Sequence, residues 1–116
     1  MTQAECLFCR IINHSIPADI VAEREGFIAI NDIHPQAPKH CLVVPKIHIT
    51  SINDLTVENA HVVSEMALMA QSIAKHQGID SSGYRLVMNT GSHAGQSVHH
   101  LHMHILGGRS LSWPPG

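Results

Sequence analysis

The chain lacks both an excess of charge of one sign and a long hydrophobic run. Its formal net charge is −2 at pH 7 and its isoelectric point lies near 6.6. This gives no electrostatic reason to expect a nucleic-acid duplex or an anionic membrane as a partner. No apolar stretch approaches the roughly 20 residues that cross a bilayer. We therefore expect the partners to be small molecules or a second copy of the chain.

Internal repeats, low-complexity tracts and an even number of cysteines are also missing. Three cysteines fit a reducing compartment and argue against a disulfide framework. The segment Met1 to Glu5 has neither the positive region nor the apolar region of a signal peptide, so we expect a cytoplasmic protein. With 116 residues, the chain is long enough for one core, and we expect one domain, residues 1–116, with a tail at 107–116.

Apolar spacing predicts two helices and five strands. A short helix is expected from Cys6 to Asn13, and a long helix from Thr56 to Gln77, where apolar residues recur every three or four positions. Thr56 is expected to cap the long helix and Gly78 to follow it. The predicted strands are Asp19 to Glu23, Phe27 to Asn31, His40 to Pro45, Tyr84 to Thr90 and His100 to Leu106. We expect an antiparallel meander covered on one face by the long helix.

Histidine and large apolar residues alternate strictly in the last predicted strand. This pattern predicts that Leu101, Met103 and Ile105 face a core. The histidines then line the opposite face: His100, His102 and His104. Imidazole can act as nucleophile, proton carrier or metal ligand near neutral pH. Because the outer two are roughly 13 Å apart at the backbone by strand rise, we expect the three to divide these roles.

His102, the middle histidine, is the natural nucleophile. The loop before the strand, Gly91 to Ser97, offers glycines and backbone N–H groups that can cradle phosphate, and Ser97 adds a hydroxyl. His40 could lie against His102 and set its tautomer, or could be an exposed loop residue. The remaining histidines without a partner pattern are interpreted as surface residues: His14, His34, His61, His76 and His93.

Cys6 and Cys9 form a C-x-x-C pair. This spacing recurs in zinc sites, which need two further ligands, and His48 and His100 are the candidates. A redox pair and two inert thiols are alternatives, although the absence of a βαβ pattern counts against the redox interpretation. Cys41 lies inside an apolar run and is interpreted as a buried structural thiol.

The stretch His100 to Leu106 matches the histidine triad pattern. On this and other motifs in order, the chain closely resembles the Hint branch of the histidine triad nucleotide-binding superfamily. The other motifs are Ile16-Pro17-Ala18, Asp32-Ile33, Gly95-Gln96-Ser97-Val98, Leu106-Gly107-Gly108-Arg109 and Trp113-Pro114-Pro115-Gly116. The resemblance implies an α+β domain with a five-stranded antiparallel sheet, one long helix and a short N-terminal helix. It also implies a homodimer whose sheet continues across both copies.

The resemblance implies a purine nucleotide-binding hydrolase. Its substrates would be nucleoside 5′-phosphoramidates of the AMP, GMP or AMP-lysine type, cleaved to nucleoside monophosphate and amine through a nucleotidyl-histidine. The chemistry itself would need no metal, and any zinc would be structural. A dinucleoside polyphosphate hydrolase of the Fhit type shares the triad, although the C-terminal motifs favour Hint. A non-catalytic nucleotide-sensing scaffold dimer and a zinc-dependent hydrolase are further alternatives.

The same resemblance implies roles for individual residues. His102 would attack the α-phosphorus, His104 would bind a phosphate oxygen, and Ser97 would contact the leaving group. The implied catalytic set is His102, His104, His100, His40 and Ser97. The implied nucleotide contacts are Asp32, Ile33, Asn89, Gly95, Gln96, Ser97, Val98, His102 and His104. The implied zinc ligands are Cys6, Cys9, His48 and His100.

Overall fold

The computed structural model describes residues 5–116. Within that range the chain forms two α-helices and five strands: α1 (Leu7–Ile12), β1 (Ile20–Arg24), β2 (Phe27–Asn31), β3 (Lys39–Pro45), α2 (His61–His76), β4 (Tyr84–Val87) and β5 (Met103–Gly107). All strand pairs are antiparallel. The α+β fold with a five-stranded sheet, one long helix and one short helix is therefore confirmed. In the described part of the chain, no helix has the length and apolar character needed to cross a membrane.

The strand order in the sheet is β1-β2-β3-β5-β4. The expected meander is thus correct for the first three strands and wrong for the last two. The helix α2 connects β3 to the far edge of the sheet, and β5 then pairs with β3 on one side and β4 on the other. Consequently the histidine strand lies in the interior of the sheet, with Leu42 opposite His104 and His40 opposite Leu106.

The two faces of the sheet are buried by different helices. On one face, the inward residues of α2 recur every three or four positions and pack on Leu101, Met103 and Ile105. Burying each such Met, Leu or Ile side chain contributes about 1.5–3 kcal/mol. On the other face, Phe8 and Ile11 of α1 pack on alternate residues of β2 and β3. The predicted alternation is confirmed, because the three histidines of the triad lie on the α1 face.

The long helix begins at His61, five residues after the predicted cap Thr56. Thr56 and Asn59 instead close a separate turn: the Thr56 N–H donates to Asn59 Oδ1 at 2.7 Å, and the Asn59 N–H donates to Thr56 Oγ1 at 3.3 Å. Thr56 therefore stabilises this turn and does not cap the long helix. The helix ends at His76, and Gly78 follows with a φ of 74°, as expected.

The two strands nearest the triad are shorter than predicted. β4 ends at Val87, and β5 begins at Met103, so His100 and His102 precede the strand. The Leu101 N–H donates to the carbonyl of Ile49 at 2.6 Å rather than to a sheet partner. Both histidines nevertheless keep their side chains on the α1 face, next to Phe8.

Candidate active site

A cleft of about 310 Å³ opens between α1 and the strands β2 and β5. Its lining is mostly apolar, with a smaller set of polar side chains. Its apolar lining is Leu7, Phe8, Ile11, Ile16, Pro17, Ala18, Ile30, Ile33, Leu42 and Val98. Its polar lining is Asp19, Asn31, Asp32, His34, Ser97, His102 and His104. Such a cleft can hold a flat, weakly polar ring beside an anionic group.

His102 is fixed in one tautomer by a backbone carbonyl. Its Nδ1 lies 2.7 Å from the carbonyl oxygen of His100, so Nδ1 carries the proton and donates it. Burial lowers the pKa of His102, although the carbonyl contact and Asp32 oppose the shift, so the ring is neutral at pH 7. Within residues 5–116, Nε2 has no hydrogen-bond partner, and it therefore presents a free lone pair at the cleft. An unprotonated imidazole nitrogen in this position is a nucleophile.

His104 is fixed in the opposite tautomer. The Gln36 N–H donates to His40 Nδ1 at 3.0 Å, so the proton of the neutral His40 ring is on Nε2. That Nε2–H donates to His104 Nδ1 at 2.9 Å, which leaves the proton of His104 on its own Nε2. Burial, followed by the neighbouring His102 and His40, lowers the pKa of His104 to about 4. His104 therefore offers an N–H donor where His102 offers a lone pair.

The position of His40 corrects one expectation. His40 contacts His104 and not His102, because the register of β3 against β5 places Leu42 opposite His104 and His40 two residues further along the same face. His40 is buried, which excludes the exposed-loop alternative. The group that sets the tautomer of His102 is a main-chain carbonyl, which residue types alone could not indicate.

Asp32 and Ile33 lie at the mouth of the cleft. Oδ1 of Asp32 accepts the N–H of His34 at 2.8 Å, and Oδ2 lies 3.5 Å from His40 Nε2. Ile33 is 84% exposed despite its apolar side chain. A carboxylate oxygen and a bare apolar surface thus stand side by side at the open end, where a sugar hydroxyl and a base could be received.

The loop before the triad contributes less than expected to the cleft lining. Ser97 and Val98 line it. Gln96 instead holds the loop together: Oε1 accepts the Gly91 N–H at 3.0 Å, and Nε2 donates to the carbonyl of Thr50 at 2.8 Å. Gly95 lies outside the lining, with a φ of 85° that closes the turn Ser92–Ala94. Asn89 lines a separate cleft with Arg85, His93 and Arg109.

Cys6, Cys9, His48 and His100 converge on one point beside the cleft. Nδ1 of His100 lies 3.3 Å from Cys6 Sγ, 3.5 Å from Cys9 Sγ and 3.1 Å from His48 Nδ1. Cys9 Sγ lies 3.3 Å from His48 Nδ1. The four ligand atoms all lie within 4.8 Å of one another. We call this group the four-ligand cluster.

The four-ligand cluster fits a tetrahedral zinc ion. Zinc bond lengths of about 2.0–2.1 Å to nitrogen and 2.3 Å to sulfur place the ligand atoms of a tetrahedron about 3.3–3.8 Å apart. His100 Nε2 donates to the carbonyl of Pro45 at 2.8 Å, which turns the lone pair of Nδ1 towards the sulfurs. Burial lowers the pKa of His100 to about 4, so the ring is in the neutral form that binds metal.

The thiols need a cation to ionise together. Burial, and then the hydrogen bond and charge of Cys6, raise the pKa of Cys9 to about 11. A bound metal ion would reverse that balance, because its charge stabilises thiolates. All three cysteines are free thiols in the structure. Cys41 is buried as expected, with its sulfur in contact with Asn31 and Gln77.

The sequence patterns do not indicate several of the lining residues. The Phe8 ring lies edge-on to both His100 and His102, with centroids 5.8 and 5.0 Å away. Asp19 and Asn31 also line the cleft, and Asn31 Nδ2 donates to Asp19 Oδ2 at 2.8 Å. Of the five histidines interpreted as surface residues, all are exposed, but His34 also lines the cleft. No periodic signal marks these positions, because they come together only when α1 and the loop after it pack beside β2 and the triad.

Comparison with known proteins gives one consistent family. Residues 5–112 match the family described as "Scavenger mRNA decapping enzyme C-term binding". A purine nucleoside phosphoramidase of Escherichia coli (strain K12) is 47% identical over 107 residues, which cover 92% of this chain and 90% of that protein. The chain belongs to the histidine triad (HIT) family. An uncharacterised HIT-like protein of Synechococcus elongatus is 46% identical and covers 97% of each chain.

Solved HIT structures share the fold throughout. A HIT family hydrolase from Legionella pneumophila Philadelphia 1 has a TM-score of 0.94 and 45% identity, covering 97% of this chain and 100% of the other. A histidine triad protein from Clostridium difficile has a TM-score of 0.92 and 43% identity, with 97% of each chain covered. The relatives support a HIT hydrolase as the general class of this protein.

Proposed function

We propose that this HIT protein hydrolyses purine nucleoside 5′-phosphoramidates to the nucleoside monophosphate and an amine. The observation that carries the proposal is the bare Nε2 of His102, fixed by the 2.7 Å bond from Nδ1 to the His100 carbonyl. The phosphoramidase name of the Escherichia coli relative supports the same reaction.

In the proposed first step, His102 Nε2 forms a bond to the α-phosphorus. The P–N bond of the substrate breaks, and its electron pair leaves with the amine, which takes up a proton from solvent. In the second step, water attacks the nucleotidyl-histidine and gives one proton to solvent, the bond from phosphorus to Nε2 breaks with its electron pair staying on Nε2, and the nucleoside monophosphate is released. His102 is returned as neutral imidazole, ready for another cycle.

Neighbouring groups would stabilise the charge that develops on phosphorus. We assign the Nε2–H of His104 to a non-bridging phosphate oxygen, because this donor is fixed by His40 and free of other partners within residues 5–116. Ser97, at the cleft edge, would donate its hydroxyl to the leaving group. His40 and His100 would act as positioning residues. No step is assigned to a metal.

The nucleoside would occupy the rest of the cleft. The carboxylate of Asp32 would accept hydrogen bonds from the ribose hydroxyls, and Ile33 and the other apolar lining residues would contact the base. Val98 would border the phosphate. Gln96 and Gly95 would act by shaping the loop, not by lining the cleft. Asn89 would require a ligand that reaches the neighbouring cleft.

Three further assignments accompany the proposed activity. A zinc ion, held by the four-ligand cluster, would supply structural stabilisation. Two copies would pair to continue the sheet, for which the short edge strand β4 (Tyr84–Val87) is one available edge; light scattering of the purified protein tests this. A cytoplasmic location stays a prediction, which cell fractionation can test.

The test is a direct substrate comparison followed by trapping. Adenosine 5′-phosphoramidate and a diadenosine polyphosphate would be supplied separately, and we expect the higher kcat/KM for the phosphoramidate. Acid-free quenching during turnover should leave a nucleotide mass increment on the peptide that contains His102. Preference for the polyphosphate would overturn the substrate assignment, and an increment on any other residue would overturn the nucleophile.

A further inference from the structure

The helix α1 is too short to be stable by itself. It has six residues, and isolated helices shorter than about 12–15 residues are marginal in water. It is held by the packing of Phe8 and Ile11 on the sheet and by its N-cap residue Cys6, whose sulfur accepts the Cys9 N–H at 3.5 Å. Its position therefore depends on contacts made outside the helix.

The four-ligand cluster joins α1 to two distant parts of the chain. Cys6 caps α1 and Cys9 lies in its first turn, His48 follows β3, and His100 precedes β5. An ion bound by all four would fasten the helix to the end of the sheet. Cys9 and His48 are 39 positions apart in sequence, and Cys6 and His100 are 94 apart. The ion would therefore stabilise the short helix through contacts with distant parts of the chain.

The same helix forms part of the cleft. Leu7, Phe8 and Ile11 lie in its apolar wall. Phe8 lies between Cys6 and Cys9 in the sequence, and its ring packs edge-on against both His100 and His102. His100 in turn supplies the carbonyl that holds His102 Nδ1. Displacement of α1 would therefore alter both the apolar lining of the cleft and the contacts of His102.

We propose that a metal ion bound by Cys6, Cys9, His48 and His100 docks α1 onto the sheet, and that docking completes the apolar wall of the cleft and holds His102 in a single orientation. This inference takes His102 as the nucleophile and so rests on the proposed function. It makes the metal centre a positioning device for a reaction in which the metal has no chemical step.

Loss of the ion is expected to loosen α1 and leave the main core intact. None of the four ligands belongs to the core cluster around α2, which is built from residues such as Met66, Met69 and Ile105. The metal-free protein should keep its sheet and α2. Its cleft should bind the nucleotide more weakly, and the ring of His102 should sample both tautomers.

Hydrogen exchange of the intact protein tests the docking step without any substrate. If opening of α1 releases the ion, the exchange of its amides slows by a factor of one plus the ratio of free zinc to the dissociation constant, about 100-fold at a ratio of 100. Amides at the edge strand β4 serve as the internal control, because that strand contains no ligand. We expect zinc to slow exchange at residues 7–12 and to leave the local exchange of β4 unchanged.

Two variants and two further readouts connect docking to the cleft. Cys9→Ser removes one ligand, and Cys41→Ser is the matched control, since Cys41 is a thiol outside the cluster. Zinc should tighten AMP binding, measured by calorimetry, about tenfold or more in the wild type and in Cys41→Ser, and leave it unchanged in Cys9→Ser. Side-chain nitrogen spectra should show one tautomer of His102 only in the zinc-loaded forms.

The outcomes separate this inference from the proposed function. Equal exchange of α1 with and without verified zinc, or an absence of zinc binding, would overturn the docking role. Zinc-dependent docking with an unchanged His102 spectrum and AMP affinity would overturn its link to the site. Zinc-dependent docking and AMP binding with no hydrolysis of any phosphoramidate would support the inference and overturn the proposed reaction.

Discussion

The two ends of the histidine row use the same side chain in different ways. At the end near α1, Nδ1 of His100 and Nδ1 of His48 point at each other and at two sulfurs, so their lone pairs converge on one point. At the cleft end, the rings of His102 and His104 lie 5.1 Å apart, but their protons are on opposite nitrogens. Convergent lone pairs suit a cation, whereas an alternating lone pair and N–H suit a phosphate.

The difference arises from backbone contacts. The carbonyl of Pro45 accepts a hydrogen bond from Nε2–H of His100, and the carbonyl of His100 accepts one from Nδ1–H of His102. The Gln36 N–H donates to Nδ1 of His40. Each contact settles which nitrogen of one ring remains available. The role of a histidine in this protein therefore follows from its main-chain partner as much as from its place in the motif.

The largest expected effect is at the nucleophile. Replacing His102 by alanine should lower kcat for adenosine 5′-phosphoramidate by about 10⁴-fold or more, because the attacking nitrogen is lost. Steady-state kinetics measure this, with the exposed His93→Ala as the matched histidine control outside the cleft lining. Retention of more than a tenth of the activity by His102→Ala would show that the cleft end does not work as proposed.

Smaller effects on kcat are expected from replacing His104, the phosphate donor, and His40, which fixes its tautomer. His104→Ala should lower kcat by about 10²- to 10³-fold, the usual cost of losing one donor to a developing oxyanion. His40→Ala should cost less, about ten- to 100-fold, since it removes only the group that fixes the His104 tautomer. If the two variants were equal, or if His40→Ala left the spectrum of His104 unchanged, the positioning role of His40 would be excluded.

Zinc binding at the four-ligand cluster should increase the stability of the protein. Zinc at 100 times its dissociation constant should raise the free energy of unfolding by about 2.7 kcal/mol, provided that the unfolded chain does not bind it. Thermal unfolding with and without zinc measures this shift. Cys9→Ser should lose it and Cys41→Ser should keep it. An equal zinc response in both cysteine variants would place the ion elsewhere.

The cleft end should respond to acid. The pKa of His104 falls from about 6.5 unfolded to about 4 folded, mainly through burial. Between these values the unfolded chain binds more protons, so stability is present above pH 6.5 and is lost as the pH falls to 4. Because the His104 ring is only half-buried, solvent screens part of this effect, and His104→Asn should remove about 2 kcal/mol of the loss, as followed by denaturant unfolding at several pH values. The same acid sensitivity in the variant would contradict the assignment.

The sequence predicts which side chains share a face of the sheet better than it predicts the order of the strands. Strict alternation around Met103 correctly predicted which side chains meet α2 and which meet the cleft, because strand periodicity is a local property. It could not predict that β5 inserts between β3 and β4, since that pairing depends on the path of α2. The misplacement of His40 beside His102 followed from this missing register.

The candidate site was predictable in its chemistry and only partly in its contacts. Cys6, Cys9, His48 and His100 were grouped from spacing and resemblance, and the structure brings all four together. The resemblance implies that Gln96 holds phosphate or shapes its pocket; its amide is hydrogen-bonded to backbone groups, which favours the second role. Main-chain hydrogen bonds such as these depend on tertiary geometry and leave no trace in residue type.

The division of the histidine row can be measured directly from the side-chain nitrogen signals of His102 and His104. In the zinc-loaded protein near neutral pH, we predict a proton on Nδ1 and a bare Nε2 for His102, and a bare Nδ1 and a proton on Nε2 for His104. Detection of the same tautomer in both rings, or rapid averaging between tautomers in His102, would contradict the account.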